Sequence, residues 1–277
     1  MRMMIFSLIL LFFLSGKVTA QNVGTEGTDQ KFKGFNLEGY TESGQKSWDV
    51  VGETADVMGT AVKLSNVVAN SYGDQKVNVK AKTGTIDQAN GNMQLEEDVI
   101  ITSETGTQLM TDSLNWNRDK DLVTTEDEVM ISNEMYMATG KGMTAQPGLK
   151  SAQINEDVTV RVDTEPQRTD DKIVTITSDG PMTIDQTKFV AILEDNVVGV
   201  QLDQTLKADR MEIYFNKEMN EIQKMVCIGN VVITQGENQS YAQQAVYDAI
   251  DKKLTLTGRP KLIMVTEGGN AITASGN

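Results

Sequence analysis

The residues of this chain with the clearest capacity for chemistry are its acidic runs and one cysteine. Glu96-Glu97-Asp98 and Glu126-Asp127-Glu128 could each hold a carboxylate pair of the kind that hydrolyses glycosidic bonds. Asn117-x-Asp119-x-Asp121, with Glu128 at the twelfth place, spaces its oxygens like a calcium loop. Its sixth place is Leu122 where such a loop needs Gly, and strand patterns flank it instead of helices. The acid runs recur ahead of apolar stretches, as solvated turns do. Thr139-Gly140-Lys141-Gly142 lacks the first Gly and the Ser/Thr after Lys of a phosphate-binding loop. Asn238-Gln239-Ser240 fits a glycosylation acceptor, which has little weight in a bacterial setting. Cys227 is the only cysteine; it excludes an intrachain disulfide and a multi-Cys metal site, and its run Met225–Ile228 reads as inert core. There is no His, which removes Ser-His-Asp and Cys-His triads and imidazole acid–base chemistry together. No catalytic residue, metal or cofactor is expected. The protein acts by binding.

The elements that position such residues follow from length and pattern. The chain has 277 residues, 23% charged, 39% apolar and 5% aromatic, enough for one large or two modest domains. Its 25 basic residues face 39 acidic ones, a balance of −14, so it lacks the basic stripe that a nucleic-acid binder needs. Arg2, the apolar run Met3–Leu14 and the small-residue exit Val18-Thr19-Ala20 read as a signal peptide over 1–20, cut after Ala20. The run is short of the ~20 residues that span a bilayer comfortably. An exported, acidic protein without disulfides fits a bacterial periplasm. Retention of the segment as an inner-membrane anchor stays open.

A polar stretch, 21–30, follows; the rest reads as short strands. Alternation is plain in Val77-Asn78-Val79-Lys80-Ala81-Lys82 and in Met211-Glu212-Ile213-Tyr214-Phe215. Turn signals fall at Ala89-Asn90-Gly91-Asn92, Asn117-Arg118-Asp119-Lys120, Asn216-Lys217-Glu218 and Ile250-Asp251-Lys252-Lys253. An apolar pair follows what reads as a polar turn in Glu97-Asp98-Val99, Asp127-Glu128-Val129 and Glu156-Asp157-Val158, and again in Asp195-Asn196-Val197, Gly229-Asn230-Val231 and Gly258-Arg259-Pro260. The unit is a hairpin with one apolar face that cannot be buried alone. Stacked units make two facing sheets, a barrel or a solenoid, all-β in each case.

Residues 35–72 are more specific. Ser47-Trp48-Asp49-Val50-Val51-Gly52-Glu53-Thr54-Ala55, then Val62-Lys63-Leu64-Ser65-Asn66-Val67-Val68-Ala69, resemble the opening of LptC, the periplasmic lipopolysaccharide-export family. The second half resembles the LptA, OstA-like family in Leu206-Lys207-Ala208-Asp209-Arg210-Met211-Glu212-Ile213-Tyr214, in Ile228-Gly229-Asn230-Val231-Val232-Ile233 and in Tyr241-Ala242-Gln243-Gln244-Ala245-Val246-Tyr247. It ends in Leu254-Thr255-Leu256-Thr257-Gly258-Arg259-Pro260-Lys261-Leu262. Together the resemblance covers about 32–265.

The resemblance implies a fused pair of antiparallel open β-jellyrolls, two stacked modules. The expected division is an LptC-like module at 31–165, an LptA-like module at 166–270 and a tail at 271–277, with the boundary in Thr164–Asp171. It also implies an interior groove for the acyl chains of lipid A. The partners implied are lipopolysaccharide, an inner-membrane export ABC transporter as energy source and an outer-membrane translocon; edge-to-edge self-association is implied too. Candidate groove-lining residues are Val99, Ile101, Val129, Ile131, Val158, Val160, Val197, Ile213, Phe215, Val231 and Ile233. Packing of a closed core explains each of them as simply. Lys33, Lys46 and Lys63 could meet phosphates, with scattered surface lysines the simpler reading. The strands Leu262–Val265 and Phe35–Tyr40 are candidate joining edges, unless polar tails cover them. The rival reading is a structural or adhesive cell-surface β-solenoid, which antiparallel hairpins would argue against.

Overall fold

The computed structural model describes residues 30–41, 43–72, 76–134, 136–146, 150–163, 173–217, 219, 221–265 and 271–276. The expected signal segment, most of the polar stretch 21–30 and the expected boundary Thr164–Asp171 lie outside them. All regular structure among the described residues is strand, and their strands pair antiparallel. The fold is all-β, of the open β-jellyroll type that the resemblance implied.

Packing divides the chain into two compact units, and the division runs within one strand. The first unit holds β1 (Gln30–Tyr40), β2 (Lys46–Met58), β3 (Ala61–Tyr72), β4 (Lys76–Asp87), β5 (Met93–Ser103), β6 (Gln108–Asn117) and nearly all of β7 (Leu122–Ser132). Residues 136–141 of β8 (Tyr136–Gln146) belong to the second unit and 142–146 to the first. The second unit continues with β9 (Ser151–Asp163), β10 (Ile173–Ser178), β11 (Met182–Asp185), β12 (Val190–Gln201) and β13 (Gln204–Phe215). It ends with β14 (Ile222–Gln235), β15 (Asn238–Asp248), β16 (Lys253–Thr257), β17 (Lys261–Val265) and β18 (Ala271–Ser275).

In the first unit each of β1 to β6 pairs with the next, a meander set by alternation and by short polar turns. The turns at 89–92 and 117–120 stand where the sequence placed them. Gly91 N–H donates to Asp87 O at 2.7 Å, and Asn117 Oδ1 accepts Lys120 N–H at 3.0 Å, so the calcium-like spacing serves a hairpin cap. In the second unit β12 to β16 pair in order. There β9 pairs with β10 and then β11, and β15 with β16 and then β17. Each of these partner pairs is one strand line broken at a proline, Pro181 or Pro260, which cannot donate to the ladder.

The polar pairs ahead of each Val are not turns. They lie in the middle of continuous strands of 11 to 14 residues. Glu97, Asp98, Asp157, Asp195, Asn196 and Asn230 have φ between 45° and 65°, and the register slips beside several of them. These are β-bulges, and they bend the strand. Twelve residues run straight would reach roughly 40 Å. A mid-strand bend lets one sheet fold its apolar face inward on itself. The amides at the bends tie neighbouring strands: Asn230 Nδ2 donates to Asp209 at 3.0 Å, Asn196 Nδ2 to Asp179 at 2.7 Å, and Asn66 Nδ2 to Glu53. Asn, Asp and Gly suit hairpin turns and bulges for the same reason, tolerance of left-handed φ, so composition alone did not separate the two.

Candidate functional site

Residues directly opposite in an antiparallel pair share a face, so the register traces inward rows across each unit. One row of the first unit runs Leu37, Val50, Ala69, Val79, Ile101, Leu109. Leu37 is 46% exposed, Val50 3% and Leu109 0%. A parallel row runs Phe32, Ala55, Leu64, Gly84, Leu95, Leu114, again exposed at β1 and buried from β2 inward. Between them lies a wholly apolar cavity of about 30 Å³ bordered by Gly84, Met93, Leu95 and Trp116. A water-sized sphere needs ~10–15 Å³ on this measure, so the space takes a methyl group or two and not a folded acyl chain.

The second unit ends differently. Its row Leu193, Met211, Cys227, Ala245 is buried throughout and reaches a half-buried Leu256. The adjacent row begins with Ala191 and Ile213, both buried. It passes Met225 and Tyr247, both half-buried, and ends at Leu254, 49% exposed. Beyond, Leu206, Ile233, Ser240 and Leu262 are all half-buried. An apolar wall therefore leaves the core and continues as an uncovered face on β15 to β17. Residues 252–265 carry Lys252, Lys253, Arg259 and Lys261 and no acid, in a chain that is acidic overall.

The expected lining residues fall in two places. Val99, Ile101, Val129 and Ile131 are buried in the first unit; Val158, Val160, Val197, Ile213 and Val231 are buried in the second; Phe215 and Ile233 are half-buried. Sequence reasoning did not name Tyr247, Leu254, Leu256 or Gly84 as lining residues. The alternation Leu254-Thr255-Leu256 could have found two of them. The expected joining strand Leu262–Val265 is β17, flanked on both sides by β15 and β18. The stretch 271–275, expected as tail, is the strand β18. Its Ala-Ile-Thr-Ala alternation was masked by the glycines before it.

Electrostatics place no reactive group on either face. Burial pushes the Cys227 thiol up to about 11, which leaves it protonated and inert. On the outer face of the first unit, burial opposes ionisation of Asp49, but bonds from Lys46, Asn70 and Tyr72 outweigh it and hold the carboxyl below its ordinary value. Lys46 Nζ sits 2.8 Å from both Glu38 and Asp49, and those two contacts, Asp49 first, raise its affinity for the proton. A phosphate at Lys46 would have to displace both. Among the described residues no group of three or more His, Cys, Asp or Glu is placed to hold a metal.

Residues 3–163 match the family model of lipopolysaccharide-assembly, LptC-related proteins, and residues 175–276 match that of LptA/(LptD N-terminal domain) LPS transport proteins. No curated protein matches the chain.

Proposed function

We propose, from the premise that this chain belongs to the LptC-related lipopolysaccharide-assembly family and carries an LptA-like module behind it, that it is a non-enzymatic periplasmic carrier. In this reading it receives the acyl chains of lipopolysaccharide on its apolar inner face and passes them from the inner toward the outer membrane. The fusion places two steps of a bridge in one chain. Its partners are the lipid, an ATP-driven transporter on the inner-membrane side and a translocon on the outer-membrane side.

The observation that carries the reading is the row from Ile213 through Met225 and Tyr247 to Leu254, which is continuous with the core at one end and uncovered at the other. Each methylene moved out of water is favourable by about 0.8 kcal/mol, so a multi-acyl lipid needs such a face to cross an aqueous compartment. An aliphatic wall without polar hooks holds many tails with similar affinity and traps none. The cations of 252–265 suit a phosphate-bearing headgroup beside that face. Antiparallel hairpins argue against the rival solenoid, whose coils would be parallel. Native mass spectrometry of the purified protein tests the proposal. A co-purifying acylated lipid, or saturable uptake of lipopolysaccharide, is expected; neither appearing would contradict it.

A further inference from the structure

Gly84 lies mid-strand in β4, on the inward row between Leu64 and Leu95. Glycines are found at such places for three reasons: a positive φ, a backbone or rigid group in the way, or space. Gly229 shows the first, with φ 77°. Gly140 shows the second, since a Cβ there would come within 2.8 Å of the Glu156 carbonyl. Gly84 has an ordinary strand φ. A Cβ would press on the buried side chains of Val67 at 3.2 Å and Leu95 at 3.3 Å, which would have to give by a few tenths of an ångström, while the nearest backbone atom, the Gln94 carbonyl oxygen, is 3.9 Å away. Glycine in a strand interior weakens it by roughly 0.5–1 kcal/mol against alanine. Neither a positive φ nor a blocking backbone requires glycine here. What it provides is the void: Gly84 borders the wholly apolar cavity of about 30 Å³ in the first unit.

The cavity's way out is also defined. Most of its surroundings are buried, but Ile86 and Met93, opposite each other on the last inward row of β4 and β5, are half-buried. Met93 is unbranched and adaptable, a side chain that can swing without disturbing its neighbours. A dry space this size rejects water and accepts a methyl end.

We propose that this cavity is the seat of the terminal methyl segment of a straight saturated hydrocarbon tail, entered past Ile86 and Met93, and that Gly84 sets its depth. The inference rests on the carrier reading and assigns it a tail-length determinant in the first unit. Each methylene kept out of the seat weakens binding about fourfold.

The test uses the full chain and a saturated fatty acid carrying a diazirine on its terminal carbon, with labelled peptides mapped by mass spectrometry. The wild type is expected to label residues around Met93, Leu95 and Trp116 as well as the strand at 253–257. Gly84→Val is expected to lose first-unit labelling at least about fourfold while labelling at 253–257 persists. Met93→Ala is expected to increase it. Should Gly84→Val not fold, Gly84→Ala, which presses only on two side-chain ends, carries the same comparison. Equal first-unit labelling in wild type and Gly84 variants overturns the inference and leaves the carrier reading standing. Labelling of 253–257 alone in the wild type does so too. No labelling anywhere overturns both.

Discussion

The two units are written in the same strand grammar and finish it differently. In the first, the inward row drops from 46% exposed at Leu37 on β1 to 3% at Val50 on β2 and stays buried through to Leu109. In the second, the row that is buried at Ala191 and Ile213 climbs steadily to 49% exposure at Leu254. Residue types overlap: leucine, isoleucine and alanine stand on inward rows of both, with valine added in the first and methionine, cysteine and tyrosine in the second. What differs is where the exposed end lies, at β1 in the first unit and at β16 in the second. An apolar side chain becomes core when something faces it and a binding wall when nothing does.

The largest effect separates those cases directly. Val99→Asp, at a position with no exposure, buries an unpaired carboxylate and is expected to cost about 4 kcal/mol or more, enough to unfold the first unit. Leu254→Asp is expected to stay within about 0.5 kcal/mol of wild type in urea denaturation while weakening lipid uptake. Equal destabilisation by both would erase the distinction between the units. Truncation gives a smaller version of the contrast. Leu114→Ala, on a side chain 2% exposed, is expected to cost about 2–5 kcal/mol, against less than about 1 kcal/mol for Leu256→Ala.

The bends test what the units share. Gly229 has φ 77°, and an added Cβ would meet Asp209 Oδ2 at 2.2 Å. Gly229→Val is expected to cost about 1–3 kcal/mol and to release the Asn230–Asp209 contact, whereas Gly199→Ala, with nothing within 4 Å, is expected to be neutral or slightly stabilising. A neutral Gly229→Val would mean that the bulge is not what bends β14.

The smallest expected effect is confined to one turn of the second unit. Burial opposes ionisation of Asp185, yet its bonds from Lys188 and Thr187 hold it at about 2, below the usual aspartate range. A lowered carboxylate stabilises the fold above its unfolded pKa and loses that contribution as pH falls through the folded one. Asp185→Ala is therefore expected to cost at most about 2 kcal/mol at neutral pH, a difference that shrinks between pH ~4 and ~2. A cost that does not change with pH would assign the effect to turn geometry alone.

Much of this fold was legible in the sequence, and the losses have physical causes. Alternation identified the strands, and Asn-Gly and Asp-rich clusters identified the hairpin turns at 89–92 and 117–120. The pairs at Glu97-Asp98, Asp195-Asn196 and Gly229-Asn230 carry the same residues for a different purpose, so bends passed for turns. The candidate site was half legible. Val99 and Val197 are fully buried, and a period of two reports only which way a side chain points. Whether another strand covers it depends on contacts far away in sequence. Leu254 and Val99 each begin an apolar pair two residues apart on a strand and have opposite surroundings.

The most direct test of the central claim places a photoreactive residue in turn at positions 254, 255 and 256 of the full chain and exposes each to lipopolysaccharide. Register puts 254 and 256 on the inward face and 255 on the outward one. The account predicts strong crosslinking at 254 and 256 and little at 255. Equal labelling at all three positions, or none at any, would contradict it.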